Sequence, residues 1–351
     1  VAATVPLKSQ RRRAAALFLG LALALVLVVV FAVGVGSVSV PLTAVVSALA
    51  KVFHLWAGEG ADPKWEAIIL LVRLPRVLGA ALIGAALATA GAALQALLRN
   101  PMADPGILGV SGGAGLGAVA SIGLGFAAQS LWNTPLAALT GALTASAVIL
   151  GLSFRGGKLS IFTLILAGLA VSAFFAAGTS LVLSLVSRDR VVEFIFWSMG
   201  SLAGLRWESI GLVVVPLLLG IAGLFVFGRD LNVLLLGDAE AQSVGLDVPR
   251  TRLLVMLLVS VTTAATVCLC GPVGFVGLMV PPMLRLLIGP DNRLLLPASA
   301  LGGAVFLVSC DVLARVFSAT QEVNVGIVTS LVGAPYFLFL LLRSARREEL
   351  F

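Results

Sequence analysis

The chain has 351 residues, 60% of them hydrophobic and 11% charged, with a formal net charge of +7 from 23 Lys and Arg against 16 Asp and Glu. A water-soluble fold of this length cannot hide so much apolar surface, so the composition excludes a soluble enzyme or binding module. The basic excess then belongs to loops beside a membrane rather than to a nucleic-acid surface, and a lone histidine excludes a multi-histidine metal or haem-ligating site.

The apolar runs are continuous rather than alternating, so they read as helices and not as barrel strands. Lys8, Arg11, Arg12 and Arg13 precede the first run, 14–35, and place the N-terminus on the cytoplasmic side; the run reads as a retained membrane helix, not a cleaved signal. An outer segment with Lys51, His54, Trp56, Glu59, Asp62 and Lys64 follows, in which Val40–Leu55 is expected to lie as an interfacial helix. The chain is organised around residues 73–117. Two arginines flank Pro75, an uncharged run leads to Leu98, and Arg99, Asn100, Pro101, Asp104 and Pro105 form a polar elbow expected on the cytoplasmic side. Helices are expected at 76–98 and 106–127, both rich in the small residues that let helices approach closely in lipid.

Further helices are expected at 136–154, 159–187 and 210–228, with a basic inner turn at Arg155–Lys158 and a short outer helix around Arg188–Ser201. Residues 229–252 hold Asp230, Asp238, Glu240 and Asp247 among Leu and Val, and read either as an interfacial loop or as a docking surface for a soluble partner. The uncharged stretch 253–284 is cut by Gly271-Pro272-Val273-Gly274 into helices at 253–270 and 275–288, the second carrying Pro281-Pro282. Helices at 295–316 and 325–342 complete ten crossings of a single all-α polytopic domain, 1–351, with both termini cytoplasmic. Of the 23 basic residues, eight (Lys51, Lys64, Arg73, Arg76, Arg188, Arg190, Arg206 and Arg315) then fall outside and fifteen inside, which agrees with that orientation.

No GxxxxGK[ST] phosphate loop, Ser-His-Asp set or HExxH pair occurs, and the three cysteines lie in apolar runs without metal spacing. The chain is therefore not expected to be an enzyme, and its energy source is expected on another subunit. Asp311 and Arg315, four apart, share a helix face and can pair. Arg73, Arg76 and Arg315 fall at outer helix ends, where they either grip carboxylates on a partner or an anionic solute, or anchor the chain to headgroups.

Several stretches in order, RLPRVLGAALIGAALATAGAALQALLRNPMADPGILGVSGGAG at 73–115, FWSMGSL at 196–202, GDAEAQSVGLDV at 237–248, GPVGFVGLMVP at 271–281, GPDNRLLLP at 289–297 and VGIVTSLVGAPYFLFLL at 325–341, resemble the FecCD-type permeases. These are the membrane subunits of binding-protein-dependent ABC importers for iron-siderophores, haem and cobalamin. The resemblance implies a type II importer permease fold in the bacterial inner membrane. It implies a homodimer with two ATP-binding cassette subunits below, which carry ATP and Mg, and a periplasmic binding protein above; no cofactor is expected in this chain. It assigns Arg73, Arg76 and Arg315 to docking of the binding protein. Coupling to the ATPase falls to Gly237, Asp238, Ala239, Glu240, Ser243, Val244, Gly245 and Leu246, and the pore border to helix 159–187. The family commonly has histidine where this chain has Pro282. Arg188, Arg190 and Trp197 are expected at the substrate mouth, where two cations would favour the propionates of haem; a ferric siderophore or cobalamin is the alternative cargo. An ion-coupled secondary transporter is disfavoured, because the apolar cores of the helices expected between 106 and 228 hold no acid.

Overall fold

The computed structural model describes residues 7–36, 40–52, 62–155, 158–317 and 323–348. His54, Trp56 and Glu59 of the outer segment, the Gly156-Gly157 turn, and Gln321 and Glu322 of the last outer turn lie outside the described residues. The helices are α1 Leu7–Gly34, α2 Leu42–Val52, α3 Pro63–Ala67, α4 Leu74–Leu98, α5 Val110–Gly123, α6 Asn133–Ser153, α7 Ile161–Leu185, α8 Arg188–Ser198, α9 Trp207–Val226, α10 Gly228–Leu234, α11 Asp238–Ser243, α12 Val248–Cys270, α13 Val276–Ile288, α14 Asn292–Val316 and α15 Val325–Glu348. The only sheet among the described residues is a two-residue antiparallel pair, Phe154–Arg155 with Lys158–Leu159, closing the basic turn. Among the described residues seven helical spans are long and apolar enough to cross a membrane, and three shorter apolar helices, Val110–Gly123, Val276–Ile288 and Val325–Phe339, pack with them.

The expected helix 76–98 begins earlier than its apolar run. Asp62 accepts the Lys64 N–H at 3.0 Å, Pro63 takes the first turn, and the helix continues to Leu98 through a π-helical turn at Ile68–Arg73. Likewise α12 starts at Val248 rather than 253, because the Asp247 carboxylate accepts the Arg250 N–H at 3.1 Å and Pro249 suits a first turn. The expected helix 106–127 is shorter than its apolar run. Pro105–Leu108 is a 3-10 turn capped by Asp104, Gly109 is left-handed with φ 70°, and α5 proper has 14 residues, about 21 Å. The missing length is covered by the elbow, which folds back into the protein: Ala103, Pro105, Leu108 and Gly109 are buried, and the position a Cβ would take on Gly277 of α13 is 3.4 Å from Pro105 Cδ. Irregular backbone at this depth is tolerated because protein, not lipid, surrounds it.

Helix α4 is the hub. It is apolar on every side and packs against α1, α9, α12, α13 and α14. Close approach comes from glycines facing glycines: a Cβ on Gly84 would meet Gly303 O of α14 at 2.2 Å, and one on Gly91 would meet Gly277 O of α13 at 2.1 Å. A second group, α5, α6 and α7, is joined the same way: a Cβ on Gly113 would meet Gly141 O at 2.2 Å. Helix α7 leaves Phe162, Leu169, Phe174, Leu181 and Leu185 exposed along its length.

Candidate functional site

At the end expected to face outward the three arginines meet, but inside the chain. The last carbonyls of a helix have no partner within it. Those of α1 are taken by two guanidiniums: Arg73 Nη1 donates to Val33 O and Gly34 O, both at 2.8 Å, and Arg315 Nη1 to Ala32 O at 2.8 Å and Val35 O at 2.7 Å. Asp311, fully buried, offsets part of this charge. Arg76 Nε donates to its Oδ1 at 2.9 Å, and Arg315 Nε lies 3.1 Å from its Oδ2. Arg73, Arg76 and Arg315 are only 6–8% exposed. The sequence places them at outer helix ends; the structure turns Arg73 and Arg315 onto the negative end of the α1 dipole, where cations are stabilised, and Arg76 onto Asp311.

The outer segment α8 is clasped against the helix break. Ser201 N donates to Cys270 O at 2.7 Å and Gly326 N to Gly200 O at 3.2 Å. Gly200 has φ 71° and Gly271 φ 69°, and a Cβ on either would lie 2.4 Å from a carbonyl of the other segment, Pro272 O or Trp197 O. Of the three residues expected at a mouth, only Arg188 is exposed. Arg190 turns inward and donates to Ile122 O at the end of α5, and Trp197 stacks on buried Phe194 with ring centroids 6.0 Å apart. Arg190 therefore points toward α5, while Arg188 stays on the surface.

At the inner end the predicted coupling residues form one surface. Gly237, with φ 136°, turns the chain between α10 and α11. Asp238 is held by two guanidiniums, Arg99 from the end of α4 and Arg252 of α12, the latter at 2.8 Å. Arg99, itself left-handed at φ 51°, also donates Nε to Leu234 O at 2.8 Å. Ala239, Glu240, Ser243, Val244 and Gly245 face outward with Leu236, while Leu246 packs on the core. Asn232 fastens α10 to the start of α14, donating to Asp291 Oδ1 at 2.6 Å and accepting from Asn292 N at 2.7 Å. The Arg293 guanidinium, opposed by partial burial and helped by Asn232, holds the Asp291 carboxyl below its usual range. Asp238→Asn is expected to weaken this anchor by about 1 kcal/mol, since the pairs are partly exposed. Amide hydrogen exchange over 235–247 should rise roughly fivefold; an unchanged rate would show that the pairs do not hold the segment.

Sequence reasoning places Asp104 in the elbow but not beside the broken helix. It lines a cavity of about 100 Å³ with Ser111, Thr263 and the broken segment Pro272–Gly274, and burial pushes its carboxyl up while the Gly106 N–H at 2.8 Å pulls it down. The signal was its place between two prolines in the elbow, a reason for the backbone to turn inward. Among the described residues no three His, Cys, Asp or Glu gather to hold a metal.

Against this geometry stand the comparisons with known proteins. A sequence model of the FecCD transport family matches residues 23–343. The hemin transport system permease protein HmuU of Yersinia pestis is 42% identical over 314 residues, covering 88% of this chain and 92% of its own length. The cobalamin import system permease protein BtuC of Halobacterium salinarum is 41% identical over 305 residues, covering 87% and 80%. A solved inward-facing structure of a metal-chelate type ABC transporter superposes with a TM-score of 0.82 at 33% identity, covering 93% of this chain and 98% of that one.

Proposed function

The chain belongs to the FecCD transport family, and from that premise we propose that it forms the pore of an ATP-driven importer for a bulky metal chelate of the corrinoid or ferric-siderophore class. As a permease of this family it is a pore subunit and not an enzyme. The reading is supported above all by the whole-chain likeness to a metal-chelate type transporter. Two copies would pair around a shared path in the bacterial inner membrane, with both termini on the cytoplasmic side. ATP-binding cassette subunits would engage the exposed turn from Leu236 to Gly245, and a periplasmic binding protein would deliver cargo from above. The hydrogen bonds of Arg99, Arg252 and Asn232 would pass a push on that turn to α4, α12 and α14 together. Arg73, Arg76 and Arg315 would serve the binding protein by holding the outer ends of α1, α4 and α14 in register.

Haem is the weaker cargo reading. It rests on an apolar path that suits a porphyrin and on a pair of mouth arginines, of which Arg190 donates inward to Ile122 O and Arg188 alone is exposed. The named relatives divide between hemin and cobalamin. The test is uptake into proteoliposomes holding this chain, its ATPase and its binding protein, with cobalamin, a ferric siderophore and haem offered in turn. ATP-dependent accumulation of a corrinoid or siderophore is expected. Accumulation of haem alone would reject the cargo class. Uptake driven by a proton gradient, surviving loss of the ATPase's catalytic carboxylate, would reject the importer reading itself.

A further inference from the structure

A proline inside a helix has no N–H, so the carbonyl four residues before it loses its donor. Pro281 and Pro282 of α13 are adjacent, and the carbonyls they orphan are those of Gly277 and Leu278. One side chain reaches both: Gln95 Nε2 of α4 donates to Gly277 O at 3.0 Å and approaches Leu278 O at 3.4 Å. Gln95 is 1% exposed, so water does not compete. Its Oε1 has no partner; the reverse amide orientation would set that oxygen against two carbonyl oxygens. The approach is possible because Gly91, one turn earlier on α4, meets Gly277 backbone to backbone.

The contact also sits between two regions already described. One turn after Gln95, Arg99 binds Leu234 O and Asp238 of the inner surface. Just before Gly277 lies the break Gly271–Phe275, whose edge receives Ser201 of the α8 clasp. We propose that Gln95 is a positioning residue that closes a proline joint in α13 and links movement of the inner segment 229–252 to the broken segment at 271–275. The amide supplies what the prolines removed, yet from a neighbouring helix, so α13 stays attached to α4 without the two internal rungs that would stiffen it. This rests on the importer reading above.

Four complexes separate the parts of the claim: wild type, Gln95→Leu, Pro281→Ala with Pro282→Ala, and all three substitutions together. Gln95→Leu is expected to lower Tm and to reduce uptake per ATP hydrolysed roughly fivefold. The double alanine variant regains both N–H groups and keeps or raises Tm, yet loses uptake per ATP to a similar degree, because the joint is stiffened. The triple variant recovers Tm but not uptake per ATP. Unchanged uptake per ATP in the double alanine variant, or recovery of uptake with Tm in the triple, overturns the joint. Failure of the triple to recover Tm overturns the hydrogen-bond assignment. Wild-type complex without ATP-dependent uptake rejects the importer reading, while the Tm comparison still tests Gln95.

Discussion

Replacing Gly91 with alanine is expected to prevent stable folding, although alanine is the better helix former by about 1 kcal/mol. The added Cβ would lie 2.1 Å from Gly277 O and 2.5 Å from Gly277 Cα. Both are backbone atoms, so no side-chain rotation relieves the overlap, and α13 must move off α4. That movement also strips Gln95 from the two carbonyls it serves and opens the contact with the elbow at Pro105. The combined loss is expected to exceed about 4 kcal/mol, at the far end of single substitutions. Gly211→Ala is the control: nothing lies within 4 Å of its would-be Cβ on α9, so the same chemical change should leave stability equal or slightly higher. Tm of the two variants in detergent decides the matter. Equal values would mean that α4 and α13 are not in backbone contact.

The second large effect is expected at Asp311. The carboxylate is fully buried between Arg76 and Arg315, and its charge offsets guanidiniums that are themselves shielded from water. Asp311→Asn keeps the shape and removes the charge, leaving cations with less than their full counter-charge. Breaking one partner of a buried pair costs about 3–5 kcal/mol. Arg315 also holds two carbonyls at the end of α1, so the loss should loosen α1 before the rest of the bundle. Adding Arg76→Gln removes one uncompensated cation, and the double variant is expected to be more stable than the sum of the single losses predicts. Additive losses, or a change in Asp311→Asn within the range of surface substitutions, would show that the three charges do not act as a unit.

Both effects lie in residues whose type was visible but whose partners were not. Gly91 and Gly277 each stand out as small residues in apolar runs, and nothing in the linear order pairs them. Arg73, Arg76 and Arg315 were legible as charges at outer helix ends. The inward turn of Arg73 and Arg315 depends on α1 stopping at Gly34 with its carbonyls beside α4 and α14, and that of Arg76 on Asp311 of α14, facts of packing rather than of pattern. Gln95 is a lone amide in an uncharged run, and Pro281-Pro282 announces two carbonyls without donors. Each signal was readable alone; 182 residues separate Gln95 from the carbonyl of Gly277, and only the fold brings them together.

By itself the sequence determined the solvent, the all-α class and the resemblance to a transport family. Apolar run length answers to bilayer thickness, and charge placement answers to the membrane faces, and both are properties of the linear chain. The expected helix 76–98 and α4 share their end at Leu98, whereas α1 begins at Leu7 and α15 runs to Glu348, both through the charges that bound their apolar runs, and α9 stops at Val226. The expected spans also depart from the structure at Pro63, Val248 and Gly109, where caps, first-turn prolines and a buried elbow override hydropathy. The tertiary structure alone decided which polar groups face water and which face orphan backbone carbonyls. In a medium without water each such carbonyl needs a donor from elsewhere in the chain, and Arg73, Arg315 and Gln95 are donors that meet that need.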